Sequence, residues 1–176
     1  MNDNEIRNFL VDLIGLSVSE ISFVRGYGIV EDYFVLIFEN SIVRYRIEVE
    51  TNFRVVDCSR VLLVFNDLYL DADRREISVK RYRKQQNIEK TLLSQNLKLV
   101  NERLHESCVI NSAVFQYGDV IIYTDSGINI EITNDTHLED ATLYRICKMT
   151  KDDTLRKVVM VKNGELPMYL SDYYNQ

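Results

Sequence analysis

A strand–turn–strand unit occurs twice in this chain, 85 residues apart. The apolar run Tyr33–Phe38 is followed by Glu39-Asn40-Ser41 and then by Val43, Tyr45, Ile47 and Val49 at alternate positions. The run Val120–Tyr123 is followed by Asp125-Ser126-Gly127 and then by Ile128, Ile130 and Ile132. A shift of 85 residues lays Val35 on Val120, Leu36 on Ile121, Phe38 on Tyr123, Tyr45 on Ile130 and Arg60 on Arg145, with no gap. Alternation with period two marks a strand with one buried face. Its recurrence at a fixed spacing marks two copies of one folding unit. A two-residue turn at Ser126-Gly127 would set Tyr123 opposite Ile130 and Ile121 opposite Ile132. The first copy would set Phe38 opposite Tyr45 and Leu36 opposite Ile47.

Each copy is preceded by a helical pattern. Ile6, Phe9, Leu10, Leu13 and Ile14 form the i, i+3, i+4, i+7, i+8 stripe of an amphipathic helix, with Gly15 as its stop. Phe9-Leu10 and Leu13–Leu16 resemble Leu92-Leu93 and Asn96–Leu99 at an offset of 83, and Leu93, Leu97, Val100 and Leu104 continue a second stripe. Further strands are expected at Phe53–Val56 and Val61–Phe65. A closing hairpin is expected from Lys157–Val161 through Asn163-Gly164 to Leu166–Leu170. The expected fold is therefore α+β and mostly antiparallel β, an internal duplication in which each half is a helix followed by a β-meander. Residues 1–73 form the first repeat, 74–90 a connector and 91–176 the second repeat, as two units or one fused domain.

Composition narrows the functional classes. The longest apolar run has six residues, far short of the roughly 20 of a membrane helix. The N-terminus lacks the basic start and apolar stretch of a secretory signal, so a cytoplasmic location is expected. Cys58, Cys108 and Cys147 are odd in number and far apart, which suggests buried, free thiols. His105 and His137 do not make the paired spacing of a zinc site with these cysteines. Cys147 and His137 could be drawn as a nucleophile and base, but nothing in the spacing supports that geometry. There is no phosphate-cradling glycine loop and no nucleophile elbow. No catalytic residue, metal or cofactor is assigned, and the chain reads as a binding protein.

The net charge is −6, unevenly spread. Arg74, Arg75, Lys80, Arg81, Arg83 and Lys84 crowd the connector, either as a solvated link or as a phosphate-binding segment. Only Tyr82 is interleaved among them, so base stacking is thin and nucleic acid is the secondary reading. Asp119, Asp125, Glu131, Asp135, Glu139 and Asp140 lie in and just after the second hairpin. They read as a solvated sheet edge or as a surface that steers a basic partner.

The unit at 36–49 (LIFENSIVRYRIEV), Phe53-Arg54-Val55 and the second copy at 121–134 resemble the small, acidic, signal-less immunity proteins that accompany contact-dependent and other polymorphic bacterial toxins. That resemblance implies a cytoplasmic protein that binds a cognate toxin domain, often a nuclease, and blocks its active site. It carries over no individual binding residue, because the class is diverse in fold. On this reading the acids around the second hairpin hold the toxin and the protein is a monomer or weak homodimer. The alternatives are a nucleic-acid module using residues 74–90 and a structural subunit that pairs through a sheet edge.

Overall fold

The computed structural model describes residues 3–26, 32–58, 60–78, 91–115, 118–134, 141–150, 152 and 154–162. The first half runs α1 (Asp3–Asp12), β1 (Ser17–Val24), β2 (Tyr33–Glu39), β3 (Arg44–Val49), β4 (Asn52–Asp57), β5 (Arg60–Val64) and a 3-10 turn (Phe65–Tyr69). The second runs α2 (Leu92–Leu104), β6 (Val109–Val114), β7 (Val120–Thr124), β8 (Ile128–Thr133), β9 (Thr142–Met149) and β10 (Leu155–Lys162). This is the expected α+β duplication of helix and antiparallel meander. The closing hairpin beyond Lys162 lies outside the described residues.

The two meanders do not stay apart. One sheet has the order β1-β2-β3-β9-β10 and the other β5-β4-β8-β7-β6. Each sheet thus takes three strands from one half and two from the other. The switch occurs between the third and fourth strands. In the first half it takes place at Glu50 and Thr51, whose groups bond to both sheets: Glu50 N donates to Leu143 O at 2.9 Å and Thr51 Oγ1 to Thr133 O at 2.9 Å. The helices cross as well, with α1 against β6 and α2 against β1, β5 and the 3-10 turn.

Matching features in the two halves recur 91 residues apart. Each first strand carries a register shift at the same place, between Val18 and Glu20 and between Val109 and Asn111. Each helix ends in a left-handed residue, Gly15 at φ 83° and Glu106 at φ 65°. The helix-to-strand links meet at the bridge between Ser17 and Cys108, where Val18 N donates to Ser107 O at 2.8 Å and Val109 N to Leu16 O at 2.9 Å. Around it, Asn101 of α2 clamps the Ile21 amide and carbonyl, both at 2.7 Å. In the other copy Ser112 Oγ donates to Leu10 O at 3.0 Å. Both contacts join a helix of one half to the first strand of the other.

The cross-strand pairs expected for the first hairpin are present, Phe38 with Tyr45 and Leu36 with Ile47. The second hairpin differs by one residue: Ile122 faces Ile130, Tyr123 faces Asn129 and Ile121 faces Glu131. Its turn holds three residues, Asp125–Gly127, rather than two. Gly127 sits at φ 76°, its N–H donates to Thr124 O at 3.1 Å, and Thr124 Oγ1 donates to Ile128 O at 2.6 Å. One residue of shift exchanges the faces of a strand, so Ile122 is buried while Ile121 and Tyr123 turn outward. The ungapped 85-residue shift is correspondingly an average. The second strands match at 86, as Leu36 with Ile122, and the third at 83, as Ile47 with Ile130. The helices match at 91 rather than 83, and the fourth-strand arginines are Arg54 and Arg145, not Arg60 and Arg145.

One core fills the space between the sheets, with residues of both halves in a single cluster. Phe34 of β2 and Phe53 of β4 bring their ring centroids to 4.5 Å across the two sheets, and Phe23 and Phe65 pack edge-on around Phe34. Ile6, Phe9 and Leu10 of α1 and Leu13 just after it join the core, whereas Ile14 is 45 % exposed. The second copy places Tyr144 where the first has Phe53. Tyr144 is buried, and its hydroxyl has no hydrogen-bond partner among the described residues. Burial, with Asp119 nearby, drives its pKa far above the usual phenol range.

Two stability effects follow. Glu106→Gly removes a side chain from a left-handed position and should stabilise by about 0.5–1 kcal/mol net of the added chain entropy. Gly15→Ala should destabilise by a similar amount, both read as urea midpoints at constant slope. Tyr144→Phe removes an unsatisfied buried hydroxyl and should stabilise by about 1 kcal/mol. A loss of stability in that variant would mean the hydroxyl is bonded in solution.

Candidate functional site

The outer faces of the two sheets start from the same plan and end differently. At the centre of each lies an ion pair between the third strand of one half and the fourth of the other. In the β1-β2-β3-β9-β10 sheet, Arg145 Nη1 lies 3.2 Å from Glu48 Oε2. In the other sheet its counterpart is Arg54 Nε on Glu131 Oε2. Around the first pair the charges multiply: Arg145 also binds Glu50, Arg46 Nη2 lies 2.9 Å from Glu48 Oε1, and Arg44 Nε lies 2.9 Å from Glu39 Oε2. Around the second pair they do not. The positions matching Arg46 and Ile37 are Asn129 and Tyr123, directly opposite one another on β8 and β7. Ile121, Val56 and Asn111 complete this neutral patch.

The acids singled out by sequence fall around this patch without forming one cluster. Asp119 precedes β7, and its Oδ1 accepts from Asn134 N at 2.7 Å. Asp125 sits at the other end of β7, in the turn, where Oδ1 accepts from Cys108 N at 3.0 Å and its own N–H donates to Cys108 O at 3.0 Å. A five-residue strand, six residue steps from Asp119 to Asp125, separates the two by about 20 Å. Glu131 stands between them on a central strand, held by Arg54, so it is not an edge residue. Asp135, Glu139 and Asp140 lie outside the described residues. Of the basic set, Arg74 and Arg75 occupy an exposed turn braced by Asp71, whose Oδ1 accepts from Arg75 N at 2.9 Å. Lys80, Arg81, Arg83 and Lys84 lie outside the described residues.

Sequence reasoning missed Arg54, Tyr123 and Asn129. Arg54 was legible as the polar position between Phe53 and Val55. The two-residue turn expected from the sequence puts Tyr123 on the buried face, and the third turn residue moves it to the outer one.

The cysteines are free, but only Cys147 is buried. Cys108 is partly exposed and Cys58 exposed, against the expectation of three buried thiols. Burial, and then the Glu48 carboxylate, push the Cys147 thiol up, which disfavours the thiolate a nucleophile needs. Among the described residues no three His, Cys, Asp or Glu side chains are grouped to hold a metal, and no helix is long and apolar enough to cross a membrane.

A second polar constellation joins α1 to the sheet. Tyr45 Oη donates to Asp12 Oδ2 at 2.6 Å, Lys148 Nζ donates to the same oxygen at 3.1 Å, and Lys148 lies 5.3 Å from the Tyr45 ring centroid. The Tyr45 hydrogen bond, aided by Lys148, holds the Asp12 carboxyl below its usual range. Burial and Asp12 raise the phenol pKa. A phenol held protonated in this way is no base, so the cluster acts as a clamp. Because the folded-state pKa of Asp12 is depressed, its contribution is present above the ordinary carboxylate pKa and lost as pH falls through the folded value. Asp12→Asn should therefore cost about 0.5 kcal/mol near neutral pH, a small figure because solvent screens this half-exposed pair. The difference from wild type should vanish in acid, as urea melts across pH would show.

No protein-family model, no curated protein and no solved structure matches this chain.

Proposed function

We propose that this protein is a non-enzymatic binding protein of the immunity type, which grips a cognate toxin domain on the outer face of the β5-β4-β8-β7-β6 sheet. The observation that carries the reading is the divergence of matching positions. The fold makes the same structural demand at Arg46 and Asn129, and at Ile37 and Tyr123. One face meets that demand with a ladder of ion pairs. The other presents a tyrosine, two asparagines and apolar side chains around a single arginine-glutamate pair. Tyrosine and arginine are enriched at protein-binding hot spots, and a neutral centre with acids at its rim suits a partner that must be both steered and held. Asp119 and Asp125, at the two ends of β7, supply that rim. A toxin that holds phosphate would be basic around its active site, and an acidic rim competes for that ground.

The test is capture by the tagged full-length chain from its host at moderate salt, followed by mass spectrometry. One stoichiometric partner with a basic surface is expected. Tyr123→Arg combined with Asn129→Arg should abolish its recovery. Ile42→Arg, on the exposed turn of the other hairpin, should leave recovery unchanged. Failure to recover any protein partner, or recovery undiminished by the double substitution, would sink the proposal.

A further inference from the structure

Besides the Glu50–Arg145 contact, two matched sets of ion pairs join the halves, and they treat the duplication in opposite ways. The first set is Glu48–Arg145 and Glu131–Arg54. Each half carries one acid and one base, Glu48 with Arg54 and Glu131 with Arg145. Two first halves, or two second halves, would satisfy this set as well as one of each. The second set lies where each helix ends against the fourth strand of the other half. Lys148 of β9 meets Asp12 of α1 at 3.1 Å, and Arg103 of α2 meets Asp57 of β4 at 2.6 Å. Asp12 and Arg103 are 91 residues apart, as are Asp57 and Lys148, so these are matching positions of opposite sign. Both acids lie in the first half and both bases in the second.

We infer that this sign inversion makes the interface between the halves selective for one first half and one second half. Two first halves would set Asp12 against Asp57 at both helix ends. Two second halves would set Arg103 against Lys148 at both. The mixed pair sets acid against base twice. Specificity of this kind needs a repulsive element against the wrong partner as well as an attractive one for the right partner. The partner that fits the first half is thus any chain bearing the second, whether covalently joined or not. The covalent link is dispensable once the fold has formed, because Asp71 and Thr91 form a bridge and Leu92 N donates to Leu70 O at 2.9 Å, which returns the chain to its point of departure.

The experiment starts from the full-length protein with a protease recognition sequence substituted within residues 79–90. The folded protein is cleaved, unfolded in urea and refolded by dilution, and native mass spectrometry counts the three pairings of halves. The same is done for Asp57→Arg/Arg103→Asp and, separately, for Asp12→Lys/Lys148→Asp. Either exchange keeps both contacts complementary in the intact chain while making each half complementary to itself. Urea melts of the uncleaved variants identify an exchange that folds as well as wild type. Wild-type halves should form almost only the mixed pair, and a folding exchange should raise the share of like pairs about tenfold, the scale expected when two solvent-screened contacts both change from repulsive to attractive. Wild-type halves that pair indiscriminately or not at all would overturn the inference. So would an exchange that leaves the distribution unchanged.

Discussion

The passage of β3 into β4 at Glu50 and Thr51 is the constraint on which the rest of the structure depends. It takes the chain out of one sheet and into the other, and the matching passage of β8 into β9 returns the exchange. Neither half can then complete a sheet from its own strands. β3 finds its outer neighbour in β9, and β8 finds its own in β4. The apolar faces of both sheets close on each other only after these distant segments have met. Loop-closure entropy must be met before these contacts form. The helices reinforce the exchange, because Asn101 and Ser112 tie each helix to the first strand of the opposite half.

Local physics explains which parts of this were legible in the sequence. The alternation of Tyr45, Ile47 and Val49 depends only on one face being buried, and the stripe of Ile6, Phe9, Leu10 and Leu13 only on a helix having an apolar side. Both survive any arrangement of the halves, so strands, helices and the duplication could be read directly. The sheet exchange could not. Nothing local distinguishes a β4 that pairs with β3 from one that crosses to β8, since Phe53 and Val55 are buried in either case. The outer patch failed for a narrower reason. Its composition depends on turn length, and the third residue of the Asp125–Gly127 turn reverses every side chain of β7. A gapless comparison hid that residue, because a shift of 85 falls between the true offsets of the second and third strands, 86 and 83.

The duplication also works as an internal control that a single-copy fold lacks. Matching positions meet the same backbone demand, so what both copies keep is what the fold requires. Both keep the left-handed residue after the helix, although only the first copy uses glycine for it. Both keep the bulge in the first strand and the glutamate-arginine pair at the centre of each outer face. Phe53 and Tyr144 differ by one hydroxyl that finds no partner, so at that position the fold requires the ring and not the oxygen.

Where the copies differ without structural need, another pressure has acted, and the form of the difference indicates its kind. At the helix ends the sign is reversed with an ion pair retained at each, although Asp12 alone also accepts the Tyr45 hydroxyl. Both contacts are complementary inside one intact molecule, so the reversal bears on which halves tolerate each other in assembly. On the outer faces the change is from an ion ladder to tyrosine, asparagine and aliphatic groups, with strand geometry untouched. A ladder of paired charges costs free energy to desolvate. A neutral patch centred on Tyr123 and Asn129 carries less of that cost, which is the physical reason the proposed partner contact falls on this face.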